Sequence, residues 1–137
     1  IIWGGHGTDI ASLTNHTTVE TVMKDYSSCS NTDIIVKQGD ASKYPAAWAT
    51  RKYAPNEATK GKWCLPAAGI MANVYNNQSA IQTAISKVGG VAYLSCCTWS
   101  SSESNASRAW GSDFDSSYSL STNFKDYTDS VRPVLEF

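Results

Sequence analysis

Histidine is scarce in this chain, with His6 and His16 the two in 137 residues. Any triad built on an imidazole must therefore use one of them. An excess of one charge is also lacking: 11 Lys and Arg stand against 12 Asp and Glu, for a formal net charge of −1. With no Lys/Arg run and no basic stripe, the electrostatic footprint of a nucleic-acid binder is missing. No apolar run approaches the roughly 20 residues that span a bilayer, so no direct membrane span is expected. Zinc spacing is absent among Cys29, Cys64, Cys96 and Cys97, and neighbours such as Cys96 and Cys97 reach one ion only with difficulty. The cysteines read as buried small apolar residues or as one disulfide, and their number leaves the compartment open. The chain begins Ile1-Ile2-Trp3, with neither an initiator Met nor a charged segment leading into an apolar one. We read it as a mature or trimmed fragment whose signal, if it had one, is gone.

What is present is a length suited to one domain, residues 1–137, with a core of its own. Near the start stands Trp3-Gly-Gly-His-Gly-Thr-Asp-Ile-Ala-Ser12. Its His-Gly-Thr core resembles the loop-to-helix segment that carries the catalytic histidine of subtilisin-type proteases. A triad also needs a nucleophile on a sharp turn, a buried carboxylate and oxyanion donors. No Gly-x-Ser-x-Gly elbow and no Gly-Thr-Ser turn follow, and the serines cluster in a polar, turn-rich tail. Hydrolase chemistry is not expected, and the short match is coincidental.

The first half carries helix signals. Thr17-Thr-Val-Glu20 reads as a capping box, with Val19, Val22, Met23 and Tyr26 following at helical spacing. Asn31 is placed to cap Thr32–Lys37, and Pro45 to open a helix reaching about Tyr53. Pro66 opens another to about Asn76. Ser79 caps a last one, whose stripe of Ala80, Ile81, Ala84, Ile85 and Val88 should face the core and stop at Gly89-Gly90. Beyond Gly90 the pattern turns to strands: "VAYLSCCTW", then "AWGSDF" and "YSLSTNF" with period two, and "SVRPVLEF". Turns are expected at Asp115-Ser-Ser and at Lys125–Asp129. Helices first and a β meander second predict an α+β fold with an antiparallel sheet.

Several segments recur in a recognisable order: "NTDII", "YPAAWATRKY", "GKWCLPAAGIM", "IQTAISKVGG", "TWSSSES", "AW" and "VRPVLEF". Over about residues 31–137 the series resembles the Lcl-type C-type-lectin-like domains of bacterial surface proteins. The resemblance implies a C-type-lectin-like fold with two main helices on a twisted antiparallel sheet. It further implies that the chain is one ligand-binding domain from a longer surface or tail protein. Trp63, Leu65, Trp99, Trp110, Arg132 and Phe137 become framework, with Arg132 bonded to carbonyls or to a carboxylate such as Glu103. The calcium-binding sugar motif of animal lectins is not matched. Its nearest echo, Ala54-Pro55-Asn56, lacks the carboxylate, and Asp113, Asp115, Asp126 and Asp129 are not ordered by a calcium loop. No metal and no cofactor are therefore expected.

From Ser100 to Ser130 the chain is rich in Ser, Asp, Tyr, Asn and Thr, the mixture that adaptable binding loops use. The variable proteins of diversity-generating retroelements share this fold and place mutable codons here. Adenine-directed changes to Asn codons never yield Lys, Glu, Gln, Met or Trp. Only Glu103, Trp110 and Lys125 fall outside the reachable set in 100–130, 3 of 31 positions against 18 of 99 before them. That contrast points toward a hypervariable face. The candidate ligand-binding residues are Ser104, Asn105, Arg108, Ser112, Asp113, Asp115, Ser117, Tyr118, Asn123, Lys125, Tyr127 and Asp129. The expectation is a non-enzymatic module on a bacterial surface or phage tail, binding a protein or glycan on another cell or particle. Oligomerisation would come through the parent protein. One rival is a relative of formylglycine-generating enzymes, for which Cys96-Cys97 is the candidate pair. Vicinal cysteines in a strand point to opposite faces and do not converge. The other rival is a structural module of a fibre or pilus.

Overall fold

A computed structural model describes residues 1–90, 97–114 and 118–136. Its architecture is α+β, as expected, with two antiparallel sheets. Helices α1 (Val19–Val22), α2 (Ser28–Lys37) and α3 (Pro45–Lys52) come first, followed by strand β1 (Trp63–Cys64). Helices α4 (Ala68–Asn76) and α5 (Gln78–Lys87) precede β2 (Cys97–Asn105), β3 (Arg108–Asp113), β4 (Ser119–Phe124) and β5 (Val134–Leu135). Among the described residues no helix is long and apolar enough to cross a membrane.

The main sheet has the order β2-β3-β4. Trp99 lies opposite Gly111, and Trp110 opposite Thr122, with irregular register along β2 on either side of Glu103. The smaller sheet joins β1 to β5 through Trp63↔Leu135 and Cys64↔Val134. Trp3, Ile10, Leu13, Ile35, Tyr44, Leu65 and Trp99 form the principal buried cluster. Val22, Ala68 and Trp110, with Leu120 against them, form a second. Of the expected framework, Leu65, Trp99 and Trp110 are buried and Trp63 and Arg132 half-buried, while Phe137 lies outside the described residues.

Several helix boundaries differ from expectation, each for a local reason. The capping box sits one residue later: Thr18 caps through Thr21, and the helix lasts a single turn. Val22 alone is buried there, while Val19, Met23 and Tyr26 are exposed. Helix α2 starts at Ser28, so Asn31 lies inside it and spends its amide on Asp25 instead of capping. Pro66 precedes α4 by two residues, and α5 begins at Gln78 before the expected cap Ser79. The α5 stripe buries no residue fully, and Val88 is 82% exposed, because this helix packs chiefly on α4 at the margin of the fold. The described residues hold five α-helices, one for each of the five helix signals in the sequence. Of the expected strand 91–99, residues 91–96 lie outside the described residues. Cys29 and Cys64 form a disulfide that ties α2 to β1, which selects one of the two readings left open for the cysteines.

Candidate functional site

The glycine-flanked histidine is a structural loop. Gly4, Gly5 and Gly7 all have positive φ, at 101°, 62° and 85°, a region glycine enters without steric cost. At Gly4 a Cβ would collide with the Lys43 carbonyl. The loop is tied down on two sides: Gly4 N–H donates to Lys125 O (3.0 Å) and Gly7 N–H to Ala106 O (2.9 Å). The His6 ring is exposed and stands 6.1 Å from that of Phe124.

Beneath this loop lies a buried ion pair. Lys125 and Glu103 are both 0% exposed, and Lys125 Nζ donates to Glu103 Oε1. Burial without partners would cost each ion several kcal/mol, and the surroundings supply the partners. Lys125 Nζ also donates to Thr8 O (2.8 Å) and stands 4.8 Å from the centre of the Trp3 ring. Glu103 Oε2 accepts from Ile10 N–H (3.2 Å). Burial pushes the Glu103 carboxyl up and the Lys125 ammonium down, and each charge partly offsets the shift of the other. Burial, together with the charge of Glu103, also raises Tyr44, whose hydroxyl is buried without a hydrogen-bond partner. Glu103, the candidate partner of Arg132, is thus taken up by Lys125. Arg132 lines a narrow apolar cleft with Pro66, Met71, Val74, Thr98, Phe114 and Val134.

Serines make up a second buried polar system. Residues 100–104 of β2 are all buried, which requires that their polar groups find partners. Ser100 Oγ donates to Trp110 O (2.7 Å). Ser102 Oγ donates to Asp25 Oδ2 (2.7 Å) and accepts from Ala68 N–H (3.0 Å), which gives the uncapped start of α4 its acceptor. Asp25 further accepts from Asn31 Nδ2 (2.9 Å) and Ser27 N–H (3.0 Å), with His16 Nε2 at 3.6 Å. Trp110 Nε1–H donates to His16 O (2.7 Å). Both histidines thus belong to loops: His6 lies in the glycine turn, and the His16 carbonyl accepts from Trp110.

The expected ligand-binding residues separate into buried and surface groups. Ser104, Ser112 and Lys125 are buried, a correction to the reading that placed them on the recognition face. Ser112 points inward because β3 is covered on both sides, and its Oγ lies 3.7 Å from Met71 Sδ. Lys125 points inward to meet Glu103. Asp115 and Ser117 lie outside the described residues. Tyr118 stacks on Tyr75 at 4.3 Å; its buried hydroxyl has no hydrogen-bond partner, and burial pushes its pKa up. Asp113 is half-buried at the end of β3. Asn105 is exposed but shapes the β2–β3 turn, its Oδ1 accepting from Ser107 and Arg108 N–H.

Of the remaining candidates, Arg108 and Tyr127 meet around Phe124, whereas Asn123 and Asp129 bond each other. The Arg108 guanidinium lies 4.0 Å from the centre of the Phe124 ring and donates through Nη1 to Thr122 O (3.3 Å). Tyr127, 54% exposed, stands 5.5 Å from the Phe124 ring. Asn123 Nδ2 donates to Asp129 Oδ2 (3.2 Å), and the Ile1 ammonium donates to Asp129 O (2.9 Å), which holds the following turn. Phe124 and His6 complete the patch and were missed as candidates. Phe124 carried a signal, as an aromatic closing a period-two strand beside three candidates, whereas the approach of His6 from across the chain had none. Compared with known proteins, the chain matches no family model, no curated protein and no solved structure.

Proposed function

We propose that this chain is a non-enzymatic recognition module with a C-type-lectin-like fold. It engages a protein or glycan on another cell or particle through the His6, Arg108, Phe124 and Tyr127 patch. The single observation that carries the reading is this aromatic and guanidinium cluster, exposed at His6 and Tyr127 and half-buried at Arg108 and Phe124, seated on a fully buried polar frame. Recognition surfaces concentrate their energy in a few Tyr, Trp and Arg anchors held rigidly. An Arg already stacked on an aromatic ring loses little entropy when it binds. The module works without calcium in this reading, since the sugar-lectin carboxylate motif is missing from the sequence.

The Cys29–Cys64 disulfide supports display outside the cell, on a bacterial surface or a phage tail, because such bonds persist in oxidising surroundings. Burial also bears on hypervariability. Glu103, Trp110 and Lys125, the three residues of 100–130 that adenine-directed change cannot produce from Asn codons, are 0%, 4% and 0% exposed. The frame thus falls on residues outside the reachable set. The patch residues Arg108, Phe124 and Tyr127 fall inside it.

The test is a binding screen of the immobilised domain against a glycan array and a panel of intact bacterial cells, with Arg108→Ala/Tyr127→Ala in parallel. The proposal predicts at least one ligand whose binding the double substitution reduces tenfold or more. A ligand bound equally well by both forms would place the site elsewhere. Sequencing the locus in sibling cells tests the hypervariable reading: differences scattered over 1–130 would defeat it.

A further inference from the structure

We infer that the buried Glu103–Lys125 pair is a positioning device that sets the geometry of the recognition patch and adds little to stability. The inference rests on the proposed recognition role of that patch. The pair lies where three separate segments converge. Glu103 is on β2, Lys125 directly follows Phe124 and precedes Tyr127 by two residues, and the loop carrying His6 closes over both.

Each segment is held by both main chain and side chain at this point. The Lys125 carbonyl accepts from Gly4 N–H (3.0 Å), and Lys125 N–H donates to Ser107 O (3.0 Å) beside Arg108. Its ammonium holds Thr8 O, and the Glu103 carboxylate holds Ile10 N–H, so that with the Gly4 bond the loop is clasped on both sides of His6. Glu103 O accepts from His16 N–H (3.0 Å). The other titratable groups facing the pair are Asp9, from the same loop, and the neutral phenol of Tyr44, from the segment before α3. Trp3 presents its ring to the ammonium. The groups that satisfy both ions come from the loop, the turn and the hairpin, so the pair is fully partnered in the register where those three meet. Buried pairs of this kind are poor stabilisers, because desolvation offsets their attraction, and their best-attested service is to select one arrangement.

The experiment uses the whole chain and needs no ligand. The double substitution Glu103→Leu/Lys125→Met replaces the pair by apolar groups of similar length, and Glu103→Gln leaves the ammonium buried without a counter-charge. Three quantities are read: the melting temperature, the upfield shift that the Phe124 ring imposes on the Arg108 side-chain protons, and amide exchange at Gly4 and Gly7. We expect the double variant to melt above Glu103→Gln and within a few degrees of the parent. It should lose most of the Arg108 shift and exchange the two amides at least tenfold faster. A double variant that melts below Glu103→Gln, or fails to fold, would show that the pair serves stability and overturn the inference. Retention of the parent's shift and protection would overturn it equally. Binding by Arg108→Ala/Tyr127→Ala is a separate readout, so failure of the recognition role and failure of the positioning role are told apart.

Discussion

Strand β2 and the segment from β4 through Asp129 are written in nearly the same alphabet, yet they end in opposite environments. "TWSSSES" is buried from Thr98 through Ser104, whereas "SLSTNFKDYTD" has one fully buried side chain, Lys125. The difference lies in available partners. Ser100, Ser102 and Glu103 each meet a donor or acceptor delivered by another element: the Trp110 carbonyl, Asp25 with the start of α4, and Lys125 with Ile10. A hydroxyl satisfied in this way is as much at home inside as a methyl group. The later segment lies along β3 on one edge only, and its alternate side chains face water. Polar composition therefore does not locate a surface. Partner geometry does.

The largest way to break this contrast is to remove the aromatic core behind β2. Trp99→Ala and Trp110→Ala should each cost about 3–5 kcal/mol in chemical denaturation, a large share of a typical ~5–15 kcal/mol stability. Each indole also hydrogen-bonds a carbonyl, of Ile1 and His16 respectively. Reduction of Cys29–Cys64 should cost about 2–5 kcal/mol, read as a lower melting temperature under reductant. Ser102→Ala should cost about 1–3 kcal/mol, because it strips Asp25 of a donor and leaves Ala68 N–H without its acceptor. Comparable loss at Ser121, exposed on β4, would erase the contrast, since exposed substitutions usually stay within about ±0.5 kcal/mol.

Much of the fold was legible in the sequence. Alternation in "AWGSDF" and "YSLSTNF" placed β3 and β4, and Pro45 placed the start of α3, because these signals are local. The buried serines of β2 were not legible, for their partners Asp25, Ala68 and Trp110 come from other elements. Lys125 looked like a turn residue for the same reason, as Glu103 lies 22 positions away. Arg108 and Tyr127, chosen from composition, both meet Phe124, while Asn123 and Asp129, chosen in the same way, bond each other. The stripe on α5 misled because amphipathic spacing shows which residues can be buried, not whether a neighbour covers them.

The smallest expected effect concerns a loop away from both regions. Asp40 lies below its ordinary value of 3.8, first through the Ser42 hydroxyl and then through the Ser42 and Lys43 amides. A lowered carboxylate contributes stability that is present above the unfolded value and lost as pH falls through the folded one. Ser42→Ala should therefore lower stability slightly at neutral pH and leave it nearly unchanged in acid, so that less stability is lost as pH falls below about 4. Melts as a function of pH check this.

The most direct test of the central claim is a paired measurement on Arg108→Ala/Tyr127→Ala: its thermal melt, and its affinity for a ligand found with the parent domain. A surface recognition patch on a buried polar frame predicts a melting temperature within a few degrees of the parent and affinity lowered at least tenfold. An unchanged affinity, or a melt lowered by tens of degrees, would contradict it.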